Sequence, residues 1–185
     1  STARSRLSEP LALSASCAEL VEQAMTAMRA AGRTVSFDPN LRPKLWPSRE
    51  AMAAHLNRLA GLADWVLPGI AEGRTLTGLD APEDIAAFYL DRGARAVLVK
   101  LGAEGAYWRT REGAGRVPGV PVTNIVDTVG AGDAFAAGAI SGRLEGLDWP
   151  QALARANWVG AQVIQVVGDM DGLPRRASLP ATLRG

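Results

Sequence analysis

The sequence predicts an α/β fold, a mostly parallel sheet covered by helices, on three observations. Short apolar runs at 34–37, 64–68 and 96–100 have the length of strands and are separated by stretches with helical apolar spacing. The first run ends in the polar, proline-stiffened segment Asp38-Pro39-Asn40-Leu41-Arg42-Pro43, and ligands of open α/β sheets sit at such carboxyl ends. Late in the chain, the turn Gly130-Ala131-Gly132 leads into a helix of small residues.

Bulk properties narrow the partners. A chain of 185 residues, 48% hydrophobic and 21% charged, suits one globular α/β domain over 1–185. Twenty basic against 19 acidic residues leave a formal charge of +1, which argues against nucleic acid or an anionic membrane as partner. Apolar runs stay below the roughly 18 residues of a membrane span. Residues 1–18, interrupted by Glu9-Pro10, do not resemble a normal signal peptide. A single cysteine, Cys17, excludes a disulfide framework or a cysteine-cluster metal site, and it reads as buried filler. The expected address is cytoplasmic and the expected partner a small molecule.

Taken in order, residues 1–10 read as irregular. Ser16-Cys17-Ala18-Glu19 has capping-box form, and Leu20, Val21, Ala24, Met25 and Met28 follow at helical spacing up to Gly32. Ser48 caps the next helix, with Met52, Leu56, Leu59 and Ala60 inward and Gly61 at its end. A short helix over 72–77 follows the second strand, and Pro82, suited to a first helical position, opens another to about Asp91. The strand at 96–100 is apolar enough to be buried on both faces. Residues 105–109 and a run ending near Val126 suggest an antiparallel pair joined by a glycine-rich turn over 112–119. After a connection at 142–148, a long helix over 150–167 turns Ala152, Leu153, Ala156, Val159, Val163 and Val166 inward, and the tail from Gly168 is loop-like. His55, mid-helix, reads as a surface residue.

Chemistry concentrates in Asp127-Thr128-Val129-Gly130-Ala131-Gly132-Asp133. Glycines before a helix bare their amides, and the first turn adds unpaired N–H groups and roughly half a positive charge, a seat for phosphate. A carboxylate there repels phosphate unless it takes a proton from an attacking nucleophile. Taken alone, Asp133 fits either that base or a plain helix cap. A Walker loop would need Gly-Lys-Ser/Thr, and a dinucleotide fingerprint a third glycine where Phe135 stands.

This stretch resembles, at every defined position, the C-terminal Asp-Thr-x-Gly-Ala-Gly-Asp signature of the ribokinase-like (PfkB) sugar kinases. The resemblance implies a three-layer α/β/α fold with ATP and Mg²⁺ as cofactors. It makes Asp133 the catalytic base and sets the Gly130, Ala131 and Gly132 amides on the phosphoryl oxygens. Lys100-Leu101-Gly102 with Gly105 resembles the family turn whose backbone lies against the nucleotide, though a surface lysine before a glycine turn is commonplace. Asn157, in Ala-Asn-x-x-Gly-Ala, matches a residue beside the adenine pocket, with bonding to neighbouring backbone as the alternative. Glu72 falls where the family places a glutamate that holds Mg²⁺ through water, but Gly69 replaces that motif's Asn.

Asp38 to Trp46 resembles the Asp-x-Asn-x-Arg-x-x-Leu-Trp segment of 2-keto-3-deoxygluconate kinases and some fructokinases, which makes Asn40 and Arg42 substrate contacts. A guanidinium suits a carboxylate, so Arg42 favours a sugar acid over a neutral hexose; the alternative is an Asp38–Arg42 bridge bracing the turn. The match covers the later part of the family architecture. N-terminal strands and a β-sheet lid are therefore expected to be missing, leaving a sheet edge and an apolar face uncovered.

The predicted activity is ATP-dependent phosphorylation of a sugar or sugar-acid hydroxyl, foremost 2-keto-3-deoxygluconate. Fructokinase or another sugar kinase, and an inert nucleotide-binding fragment, are the alternatives. Full-length relatives are expected to be homo-oligomers, and a monovalent cation beside 123–126 is a further implied ligand.

Overall fold

The computed structural model describes residues 15–168 and 171–185, so the irregular stretch expected at 1–10 lies outside the described residues. The described elements run α1 Ala15–Ala30, β1 Ser36–Phe37, α2 Arg49–Gly61, β2 Trp65–Val66, α3 Ile70–Thr77, α4 Pro82–Leu90 and β3 Ala96–Lys100. They continue with β4 Ala106–Thr110, β5 Ala114–Val117, α5 Ala131–Leu144 and α6 Trp149–Val163. The strands form one five-stranded sheet in chain order. β1, β2 and β3 are parallel, joined by helical crossovers, and β3, β4 and β5 form an antiparallel meander.

β3 shows why the molecule has three layers. Its side chains alternate between faces, as the period of a strand requires. Val97 and Val99 join Met52, Leu56, Leu59, Ile85 and Tyr89 under helices α2 to α4, while Leu98 joins Leu67, Phe135, Ala139, Leu153 and Ala156 under α5 and α6. Polar groups tie neighbouring elements together. The Tyr89 hydroxyl donates to Asn57 at 3.0 Å, whose amide donates to the Leu76 carbonyl at 2.8 Å, linking α4, α2 and α3. Asp64, 2% exposed, accepts the Val35 N–H at 2.9 Å and faces Arg29 and Arg95 at 3.4 and 3.2 Å.

α5 and α6 approach closely because small residues line their seam. A Cβ on Gly138 would lie 2.7 Å from the Ala156 Cα, and one on Gly142 would lie 3.0 Å from the Ala152 Cα. Past the seam, Glu145 accepts from buried Arg155 at 2.8 Å and from Arg176 at 2.8 Å, fastening the C-terminal tail to the helix pair.

Several elements differ from expectation. Ser16 lies inside α1 rather than at its cap, and Leu20 and Met28 are exposed, leaving Met25 as that helix's buried anchor. Cys17 is half-buried. The second strand of the antiparallel pair is 114–117, inside the stretch read as a turn; residues 120–126 form no strand. It pairs through its backbone, so its polar, glycine-bearing sequence hides it. α5 continues through Gly142 to Leu144, and α6 ends at Val163, which leaves Val166 exposed. His55 is half-buried, its ring 5.4 Å from that of Trp46.

Candidate active site

The site lies at the carboxyl ends of the parallel strands, where each strand delivers its loop. After β1 come Asp38, Asn40 and Arg42. Asn40 holds φ 41°, a left-handed turn that Asn tolerates better than most residues. After β2 comes Gly69, which caps α3. The Glu72 carboxylate reaches back to accept the Gly69 N–H at 2.7 Å and accepts the Leu41 N–H at 3.1 Å, so it pins two loops together. Gly69 serves this arrangement through its backbone, and a Cβ there would stand 3.2 Å from Glu72 Oε2.

From the other side comes the amino terminus of α5. Asp127 accepts the Val129 N–H at 2.9 Å and Gly130 turns left-handed at φ 79°, which launches the helix at Ala131. The Ala131 N–H donates to the Thr128 carbonyl at 3.3 Å and that of Ala134 to the Gly130 carbonyl at 2.8 Å. Gly132 and Asp133, between them, have no carbonyl behind them in the helix, so their N–H groups face the helix end. Asp133 thus stands in the first turn, exposed, within the helix rather than at its cap.

These parts enclose a pocket of about 470 Å³. Asp38, Asn40, Arg42, Glu72 and Lys100 line one side, and Val129, Gly130, Gly132 and Asp133 the other. Lys100 Nζ lies 2.6 Å from Asp38 Oδ2, an ion pair with side chains 16% and 21% exposed. Asp38 therefore pairs with Lys100 and not with Arg42, whose guanidinium reaches the Leu41 carbonyl at 3.4 Å. Burial pushes the Asp38 carboxyl above its usual range; Lys100 opposes this, while the nearby Glu72 and Asp133 charges add to it.

The residues expected from sequence divide into two groups. Asn40, Arg42, Glu72, Lys100, Gly130, Gly132 and Asp133 meet in the pocket, with Ala131 behind them in the first turn. Gly102, Gly105 and Asn157 do not line it. The Asn157 amide donates to the Val117 and Pro118 carbonyls at 3.2 and 2.9 Å, the backbone alternative. Gly105, at φ 97°, packs so closely on β5 that a Cβ would lie 2.1 Å from the Val117 oxygen. Asp38 and Val129 are pocket residues not expected as site residues; Asp38's own segment, polar at a strand end, was the available signal.

The donor set fits the implied ligands. Bare amides, a helix terminus and an ammonium suit phosphate. Among the described residues, no group of three or more His, Cys, Asp or Glu side chains could cage a metal. Glu72 on the pocket wall is the kind of group Mg²⁺ takes, since that ion keeps its waters and uses one or two carboxylates plus phosphate oxygens. Among the described residues, no helix is long and apolar enough to cross a membrane.

Known proteins share this architecture and sequence. Residues 2–176 match the model of the pfkB family carbohydrate kinases. The 2-dehydro-3-deoxygluconokinase of Bacillus subtilis (strain 168) is 53% identical over 174 residues, 94% of this chain and 54% of that protein. A PfkB protein from Polaromonas sp. JS666 superposes with a TM-score of 0.81 at 52% identity, over 91% of this chain and 53% of its own. A fructokinase from Vibrio cholerae O395, solved with fructose, ADP and calcium ion, gives 0.84 at 35%, over 95% and 58%. A double mutant of it was solved with fructose, ADP and potassium ion. The chain thus spans about half the length of these relatives. With a helix terminus baring its amides beside Asp133, a ribokinase-like sheet and a match over nearly all its residues, the chain belongs to the pfkB family of carbohydrate kinases.

Proposed function

We propose that the protein transfers a phosphoryl group from ATP to a hydroxyl of 2-keto-3-deoxygluconate, giving the 6-phosphate. One observation carries the reading: Asp133, exposed at a helix amino terminus, shares a pocket with Asn40 and Arg42 on the facing loop. The identity of 53% to a 2-dehydro-3-deoxygluconokinase supports the sugar acid.

On this reading the substrate hydroxyl gives its proton to Asp133 as its oxygen bonds to the γ-phosphorus. The bond to the bridging oxygen breaks, and ADP leaves with the electron pair. Amides of Gly130, Gly132 and Asp133 donate to the phosphoryl oxygens, helped by the partial charge of the helix, while the Ala131 N–H expected among them is held by the Thr128 carbonyl. Arg42 makes a two-pronged contact with the sugar-acid carboxylate, and Asn40 donates to a hydroxyl. Mg²⁺, when bound, neutralises phosphate charge, and Glu72 would hold it through water. The turn from Lys100 through Gly102 to Gly105 lies toward the nucleotide. The full-length protein is a homo-oligomer on this reading, and a further ligand is a monovalent cation near 123–126, supported by the potassium form of the fructokinase double mutant. Its address is the cytoplasm.

A fructokinase keeps the same chemistry and is supported by the Vibrio cholerae relative. Arg42 separates the two readings, because fructose offers no carboxylate. ATP turnover is measured with each sugar, and Asp133→Asn is expected to lower it about 100-fold or more with little change in nucleotide affinity. An unchanged rate removes Asp133 as the base. Turnover with fructose alone shifts the substrate, and nucleotide binding without turnover favours a binding fragment.

A further inference from the structure

The family resemblance concerns the backbone that follows Lys100, yet the side chain is what enters the pocket. Nζ sits 2.6 Å from Asp38 Oδ2 on one side. On the other it lies over the first turn of α5, where a Cβ on Gly132 would stand 3.4 Å from it. The ammonium therefore bridges the strand ends and the helix terminus that carries Asp133.

Charge balance gives that position its meaning. Asp38, Glu72 and Asp133 bring three carboxylates to the pocket, against the cations Lys100 and Arg42. A triphosphate adds several more negative charges, and like charges crowded out of water repel strongly. Lysine suits the place because its compact charge has three donors on a flexible stem, so it can keep one bond to a carboxylate and offer another to a phosphoryl oxygen. Asp38 suits the supporting place: its Oδ1 is buried with no hydrogen-bond partner among the described residues, and Lys100 is the described cation that stabilises its charge.

We propose that Lys100 is a catalytic residue whose Nζ contacts the phosphoryl group during transfer, and that Asp38 is the positioning residue that aims it. The proposal rests on the kinase reading above. The lysine stays protonated throughout: the hydroxyl oxygen bonds to phosphorus, the bridging P–O bond breaks with its electrons on ADP, and the hydroxyl proton goes to Asp133. Lys100 meets the charge spread over the equatorial oxygens.

The test compares binding of Mg–ADP and of Mg–AMP-PNP, a non-transferable ATP analogue, by titration calorimetry on the full-length protein. Lys100→Met is expected to weaken AMP-PNP by about 10-fold or more, the scale of one charge-assisted hydrogen bond, and to leave ADP within about twofold. Lys100→Arg should recover part of the loss. Because Lys100→Met strands a buried carboxylate, Asp38→Asn/Lys100→Met is measured beside it, with thermal melting to establish folding. In the Lys100→Met background, Asp38→Asn should alter the AMP-PNP preference no further, since no ammonium is left to aim. Unchanged AMP-PNP binding in folded Lys100→Met and double variants overturns the proposal and leaves the kinase reading intact. An equal loss for both nucleotides also overturns it and makes the pair a structural brace. A wild-type protein that binds neither nucleotide overturns the kinase reading and the proposal with it.

Discussion

Asn40 combines two roles that mutation can separate. It is the non-glycine residue with positive φ among the described residues, and its side chain lines the pocket. Asn40→Gly keeps the left-handed turn and removes the amide, whereas Asn40→Ala removes the amide and strains the turn. Both are expected to raise the KM for the sugar by a similar factor, with the alanine variant less stable by about 1 kcal/mol in urea unfolding. A KM that rises in the alanine variant alone would make Asn40 a backbone residue and not a substrate contact. Local sequence made this residue legible, since Asp-Pro-Asn at a strand's end is turn chemistry at a ligand-binding edge. The Lys100–Asp38 pair was not legible in the same way, because its partners lie 62 residues apart and meet only when β1 and β3 flank β2. Nearest-neighbour reasoning offered Asp38 to Arg42 instead.

Helices α5 and α6 test the element scale. Their seam depends on Gly138 lying against Ala156, so Gly138→Leu forces a side chain into backbone only 2.7 Å from where its Cβ would start. The expected loss is about 1–3 kcal/mol in chemical denaturation, with the helices pushed apart. A variant as stable as wild type would show that the seam yields. Elements whose pattern was strong were readable. β3 was legible to the residue because it is buried on both faces, and α2 because Ser48 accepts the Ala51 N–H at 3.1 Å where capping chemistry predicts it. β5 was not, since Ala114-Gly115-Arg116-Val117 shows little apolar alternation and is made a strand by its pairing with β4. The end of α6 was overrun because apolar Val166 and Val167 continue the pattern past the last helical turn.

For the molecule as a whole, the tail clasp at Glu145 sets an acid limit. Hydrogen bonds from Arg176 and then Arg155 hold its carboxyl down to about 2, from the usual 4.5. A lowered folded value means that the clasp contributes fully above about 4.5 and is lost as pH falls toward 2. Glu145→Gln should therefore melt below wild type at pH 7, with the gap closing as pH approaches 2; a gap independent of pH would assign the stability to packing. The α/β class was legible from the alternation of strand and helix patterns and its three layers from the family resemblance, whereas the clasp, joining residues 145, 155 and 176, needed the three-dimensional arrangement. The two facing walls of the pocket share one more property. Asn40 at φ 41° and Gly130 at φ 79° both adopt backbone that belongs to the mirror image of an ordinary L-residue. In stereochemical terms, the pocket is where the chain's handedness is suspended twice. At 130 a D-amino acid would sit at ease where an L side chain is strained, so the proposed phosphate seat opens on the residue type that has no hand.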